Sequence, residues 1–240
     1  MVEPEEVDFE SYAKIASERA SVYSVLARLL LRPLSENEIF ELSVQLPSTK
    51  AILEQLEAEE TFLVKMKSGL EKAQLVLEGN LSRLQEMSNR LSSSYTKLFR
   101  GLSKKHSPLP PYESVYVEKE ILWGNCTVDV LHLYNVAGFH VSPDLGNEPP
   151  DHIALELAFM GSLCRQESDA LRRHEKNETL KISIMELDFL KDHLLSWMPV
   201  MRQSIARFDE LGFYSGILEL IEGWIAHDEK SVQQSVALTA

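Results

Sequence analysis

Cysteine is scarce: Cys126 and Cys164 are the only two in 240 residues. They form no Cys-x-x-Cys pair and no zinc-ligand cluster, so a disulfide framework is not expected and free thiols of a reducing compartment are. Long apolar runs are missing too. The longest, around Val22 to Leu31, is broken by Arg28 and falls short of the ~18 residues a membrane span needs. The first residues, Met1-Val2-Glu3-Pro4-Glu5-Glu6, are acidic where an export signal is basic, which points to a cytoplasmic protein. Positive charge is in deficit, with 24 basic against 37 acidic side chains and a net charge of −13. Such a surface repels phosphate backbones and disfavours nucleic-acid binding. It suits a basic peptide, and it equally serves plain solubility.

Catalytic signatures are also lacking. Without a Gly-Lys dipeptide there is no P-loop, and Gly-x-Gly-x-x-Gly, Gly-x-Ser-x-Gly and His-Glu-x-x-His do not occur. None of the seven histidines has a glutamate three residues before it, as the Glu-x-x-His pairs of di-iron bundles require. Asp129 with His132, and His152 with Glu156, share helical faces. They could ligate a metal or form local pairs, and a metal site normally needs three or four ligands. No metal or other cofactor is expected. A helical metal-binding protein or enzyme built on these four residues is the alternative.

What is present is helical periodicity. Phe9, Tyr12, Ala16, Ala20, Tyr23, Ala27 and Leu30 fall at steps of three and four, and Pro33 closes that helix. Ser35 and Glu38 have the form of a capping box for a helix with Ile39, Leu42 and Leu46 inward, expected to end at Pro47. Residues 48–79 read as charged and helical, interrupted at Gly69 and Gly79. Leu81, Leu84, Met87 (or Ser88), Leu91, Tyr95 and Leu98 make the next stripe, between Asn80 as N-cap and Gly101 as stop. Helices follow to Ala137, with Thr127 able to cap the second piece and Gly138 in the left-handed position after it. Others run from Asp151 to about Glu175 and at about 178–196, 199–210 and 213–227, with Pro199 in a first turn. Alternating strand patterns are scarce, Val115 to Val117 being the closest. The expectation is an all-α, single-domain bundle of about 8–10 helices over 9–228, a flexible acidic segment at 1–8, and a tail at 229–240.

Two proline-rich loops interrupt this pattern, at 101–116 and 139–150. The first carries Pro110-Pro111-Tyr112-Glu113-Ser114-Val115-Tyr116 and the second leads into Glu148-Pro149-Pro150-Asp151-His152. Prolines lower the entropy lost when a ligand is held. Tyrosines add amphipathic surface, and acids add charge for a guanidinium. Asp151 reads either as a helix cap or as such an acid. His152 is expected to have a raised pKa in this acidic setting, or to donate to a ligand carbonyl. The pattern fits an arginine-bearing peptide with an apolar continuation, and it contains no activated nucleophile.

At these residues the chain resembles the TorD/DmsD/NarJ-like redox-enzyme maturation proteins. The matching segments, in order, are Tyr95-Thr96-Lys97-Leu98-Phe99, Pro111 to Tyr116, Leu122-Trp123-Gly124, Tyr134 with Ala137-Gly138-Phe139, and Glu148 to His152. His193-Leu194, Trp197-Met198-Pro199 and Phe213-Tyr214 follow. Leu102 and Met201 depart from the usual pattern. The resemblance implies an all-α chaperone, not an enzyme, that binds the twin-arginine signal region and apoprotein of a molybdopterin-dependent oxidoreductase. It would hold the apoenzyme for cofactor insertion before export, as a monomer or domain-swapped dimer. It places peptide binding at Tyr112, Glu113, Ser114, Tyr116, Glu148, Pro149, Asp151 and His152, with Tyr95, Phe99, Trp123 and Trp197 as pocket lining.

Overall fold

A computed structural model of the chain describes residues 8–55, 60–78, 83–100, 107–118, 122–141 and 148–239. Helix α1 spans Phe9–Leu31, α2 Glu36–Glu54, α3 Thr61–Glu78, α4 Leu84–Phe99 and α5 Glu113–Val117. Helix α6 spans Asn125–Val136, α7 Ile153–Arg172, α8 Lys176–Phe189, α9 Leu195–Ala206 and α10 Phe213–Thr239. The described residues hold no strand; a main hydrophobic core runs through the bundle, with a small second cluster of Ala13, Ala16 and Leu171. The all-α bundle expected from periodicity is the fold observed.

Small residues set how closely the helices approach. On α1 the buried stripe is Ala13, Ala16, Ala20, Tyr23, Ala27 and Leu30, whereas Tyr12 is turned out and 44% exposed. Its alanines let α7 lie close: a Cβ on Gly161 would meet the Ala20 carbonyl at 3.3 Å. Gly69, expected to interrupt α3, instead sits inside it. A Cβ there would fall 2.5 Å from the Gly216 carbonyl on α10, and one on Gly223 would fall 2.6 Å from the Phe62 carbonyl. The glycines are the seam along which α3 and α10 touch backbone to backbone. Gly69→Ala is therefore expected to destabilise by about 1–3 kcal/mol through overpacking. Urea unfolding measures this, and an unchanged midpoint would contradict the seam.

Other boundaries shift for physical reasons. The Ser35–Glu38 capping box forms: the Ser35 N–H donates to Glu38 at 2.8 Å and the Glu38 N–H to the Ser35 hydroxyl at 3.4 Å. Burial alone would raise Glu38, but the Ser35 backbone and hydroxyl and the Arg32 guanidinium outweigh it and hold the carboxyl at about 2. Pro47 does not end α2. The helix passes through it to Glu54, where Leu53 is buried, so packing overrides the one hydrogen bond proline removes. Helices α8 and α9 are one continuous rod joined by a π turn at Leu190–Leu194, so Pro199 lies inside a helix and not in a new first turn. Helix α10 replaces the expected tail, since it continues to Thr239 with Val232 buried. Helix α5 begins within the expected first loop. Asp8 caps α1, accepting from the Ser11 N–H at 3.1 Å. The roles expected of residues 1–7, Gly79, Asn80, Leu81 and Gly101 lie outside the described residues.

Four helices are also pinned by a buried charge. The Arg19 guanidinium on α1 donates to Glu167 on α7 at 2.6 Å, to Glu186 on α8, and to Asp228 on α10 at 2.6 and 3.1 Å. The Tyr23 hydroxyl donates to Asp228 at 2.7 Å. Burial is the largest influence on Glu186 and pushes it up to about 8 despite Arg19.

Candidate functional site

The two proline-rich loops close on each other. Tyr112 and His152 form an antiparallel bridge, in which the Glu113 N–H donates to the Asp151 carbonyl at 2.9 Å and the Ile153 N–H to the Pro111 carbonyl at 3.1 Å. Pro110, Pro111, Pro149 and Pro150 flank the bridge and stiffen its approach. From α6 the Tyr134 hydroxyl donates to the Pro150 carbonyl at 2.9 Å, anchoring the second loop from below.

The side chains continue the clasp. Asp151 does not cap its own helix. Its carboxylate accepts from the Ser114 N–H at 3.0 Å, so it caps α5 from the opposite loop. His152 is the N-cap of α7, and its Nδ1 accepts from the Ala154 N–H at 3.1 Å. The raised pKa expected for His152 is not found. Burial, the largest influence, pushes it down to about 4 even beside Glu148 and Asp151. Neutral His152 is what the cap requires, since the accepting nitrogen must lack a proton.

Below the bridge lies a group of acids. Glu113 meets His193 Nδ1 at 2.9 Å, and the Trp197 indole donates to Glu156 at 3.1 Å. Glu113, Asp151 and Glu156 are all 2% exposed or less. Burial first, then the charge of Glu113, raises Glu156 well above the usual carboxylate range. These three acids are held by the His193 ring, the Ser114 amide and the Trp197 indole; among the described residues none of them bonds to a lysine or arginine. Ser114 Oγ, Thr127 Oγ1 and Asp151 Oδ1 are buried with no hydrogen-bond partner among the described residues. Native proteins leave few such atoms unsatisfied; Glu156 Oε1 is another, while Gln74, Glu186, Asp209 and Trp224 carry others elsewhere in the bundle.

The rim is open. Tyr112, Tyr116, Glu148 and Pro149 are half-buried. The Tyr112 hydroxyl donates to Glu148 at 2.6 Å, and Arg100 donates to the other Glu148 oxygen at 2.5 Å. The Tyr116 ring lies 5.5 Å from Trp197, and its hydroxyl donates to the Leu109 carbonyl at 2.8 Å. Thus the structure gathers Tyr112, Glu113, Ser114, Tyr116, Glu148, Pro149, Asp151, His152 and Trp197 into one place. Tyr95 and Phe99 pack with Tyr214 in the core, where the Tyr95 hydroxyl donates to the Leu31 carbonyl at 2.7 Å at the end of α1. Trp123 stands out in solvent, 63% exposed.

Arg100, His193 and the buried Glu156 are the partners that spacing did not assign to this site. His193 had a signal in its His-Leu motif, but Arg100 had none. Thr127 is not the cap of α6. Gly124 occupies the N-cap position, and the Glu118 carboxylate accepts from the Asn125 and Cys126 N–H groups at 3.0 and 2.7 Å. The four residues of the metal alternative are engaged separately: His152 with Ala154, Glu156 with Trp197, and Asp129 and His132 on the exposed face of α6. Among the described residues no group of three or more His, Cys, Asp or Glu side chains is placed to hold a metal ion.

Fold and site together define an all-α bundle whose two loops are clasped over buried acids. Residues 63–203 match the family described as nitrate reductase delta subunit. The chain is 27% identical over 231 residues to chaperone protein TorD of Vibrio cholerae serotype O1, covering 94% of this chain and 97% of that protein. It is 31% identical over 221 residues to chaperone protein TorD of Photobacterium profundum, covering 88% and 93%. It is 28% identical over 208 residues to chaperone protein TorD of Vibrio parahaemolyticus, covering 85% and 89%. The chain belongs to this family, and these relatives are named chaperones, not enzymes. No helix among the described residues is long and apolar enough to cross a membrane.

Proposed function

We propose that this chain is a cytoplasmic redox-enzyme maturation chaperone that binds the twin-arginine signal region of a molybdopterin oxidoreductase subunit, holding the apoenzyme for cofactor insertion before export. The observation that carries the reading is the surplus of buried carboxylate beneath the two loops. Glu113, Asp151 and Glu156 lie together with one histidine and no bonded arginine or lysine among the described residues. Burial and the neighbouring Glu113 keep Glu156 protonated, hydrogen-bonded to Glu113, and a guanidinium brought to this group of acids satisfies two carboxylate oxygens at once. Arg100 already pairs with Glu148 at the rim, which is the contact a client arginine would compete for. Neutral His152 adds no repulsion against it.

The test is calorimetric titration of a peptide with paired arginines and an apolar tail, then of its Lys-Lys version. The arginine peptide is expected to bind more tightly, and to weaken as salt rises. Asp151→Asn retains an oxygen to accept from the Ser114 N–H but removes the charge. It is expected to weaken peptide binding by about 1–3 kcal/mol with little change in Tm. Equal affinity for the two peptides, or none for either, would overturn the arginine reading.

A further inference from the structure

The outer face at the α5–α6 junction holds a feature that folding alone does not account for. Trp123 has φ 61°, a left-handed backbone that costs a bulky residue energy, yet its side chain is 63% exposed. The other non-glycine residue with positive φ among the described residues, His174 at 57°, sits just past the end of α7, where helices commonly take this conformation. Trp123 lies before a helix start and has no such reason.

Its position makes the exposure more telling. Gly124 is the N-cap of α6, so Trp123 and Val128 occupy the two positions that pack together in a hydrophobic staple. Val128 is 62% exposed, so neither side chain is covered by a closed staple. Leu131, one turn further along α6, is 42% exposed, Leu122 53%, and Val117 at the end of α5 52%. The backbone is nevertheless held firmly. Glu118 accepts from the first two N–H groups of α6, and a Cβ on residue 124 would fall 2.5 Å from its carboxylate, which explains the glycine. Helix α6 is tied beneath the second loop through the buried Tyr134, while Trp123, Val128 and Leu131 present the exposed side of the same element.

We infer that the Trp123–Val128–Leu131 face receives the apolar continuation of the same peptide whose arginines the clasp reads, an inference that rests on the proposed function. Charge selects this occupant. Helix α6 itself, Asn125–Val136, carries no lysine or arginine, Asp129 is exposed beside Val128, and the Glu118 carboxylate sits at the helix start. An apolar surface set in acidic surroundings attracts a segment that is apolar and preceded by positive charge. The indole supplies a large, rigid contact at small entropic cost.

Two peptides test it by calorimetry: one with paired arginines and the apolar stretch, one with the same charges and a Gly/Ser stretch. Trp123→Ser, whose side chain lies in solvent, should retain the wild-type Tm. It is expected to weaken the apolar peptide roughly tenfold and leave the Gly/Ser peptide unchanged, with Val128→Ser acting in the same sense. If both variants bind the apolar peptide as the wild type does, or lose both peptides equally, the inference fails. Loss with Trp123→Ser but equal affinity for arginine and lysine versions would keep this face and remove the arginine reading. Failure of wild type to bind either peptide overturns both. Sedimentation supplies a further outcome: self-association abolished by Trp123→Ser with peptide binding intact would assign the face to a second copy of the chain.

Discussion

Arg19→Met is expected to lower stability by about 3–5 kcal/mol at neutral pH, the range for breaking a buried ion pair from one side. Methionine fills much of the volume but leaves Glu167, Glu186 and Asp228, each 6% exposed or less, without their cation. These acids come from α7, α8 and α10, so the loss is felt across four helices. The deficit should depend on pH. Burial already holds Glu186 at about 8 and Glu167 above its usual value with Arg19 in place, and removing the guanidinium raises both further. A raised carboxyl contributes stability that is full below its unfolded value of about 4.3 and is lost as pH rises through the folded value. The variant should therefore fall further behind the wild type at pH 8 than at pH 5. Denaturant unfolding at the two pH values measures this, and a deficit independent of pH would show that the acids are not what the arginine neutralises.

His152→Asn is expected to remove an acid-sensitive part of the stability. His152 is 1% exposed and titrates at about 4, against about 6.5 unfolded. A depressed base favours the fold fully above the unfolded value, and that contribution is lost as pH falls from about 6.5 toward 4. The difference of about 2.5 units corresponds to about 3 kcal/mol. Asparagine can accept from the Ala154 N–H without titrating, so the cap persists. The stability gap between wild type and variant should shrink by about that amount from pH 7 to pH 4. Glu156 and Glu186 change stability in the opposite direction, but they are present in both proteins and cancel in the comparison. A gap that stays constant with pH would mean that His152 takes up its proton as readily in the fold as in the unfolded chain.

Much of the helix pattern was legible because amphipathic stripes are local. Tyr23, Leu30, Ile39, Leu91 and Tyr95 are buried where their spacing places them. Capping chemistry at Ser35 and the left-handed Gly138, φ 65°, were equally readable, since both depend on neighbours three or four residues away. Where punctuation depended on a distant partner it misled. Gly69 reads as a break until Gly216 is brought against it, and Pro47 reads as a stop until Leu53 has a surface to bury against.

The site divides along the same line. Composition and order of residues marked the two proline-rich loops, and the ordered motifs pointed to the family to which the chain belongs. Only the tertiary structure placed the Asp151 carboxylate on the amide of Ser114, drew His193 and Glu156 beneath the bridge, and set His152 low instead of high. Periodicity and local capping act over a few residues, and so are carried by the sequence itself. Burial and the pairing of charges depend on which segments meet across the chain, and those alone decide whether an acid is a cap, a counter-ion or an unsatisfied charge awaiting one.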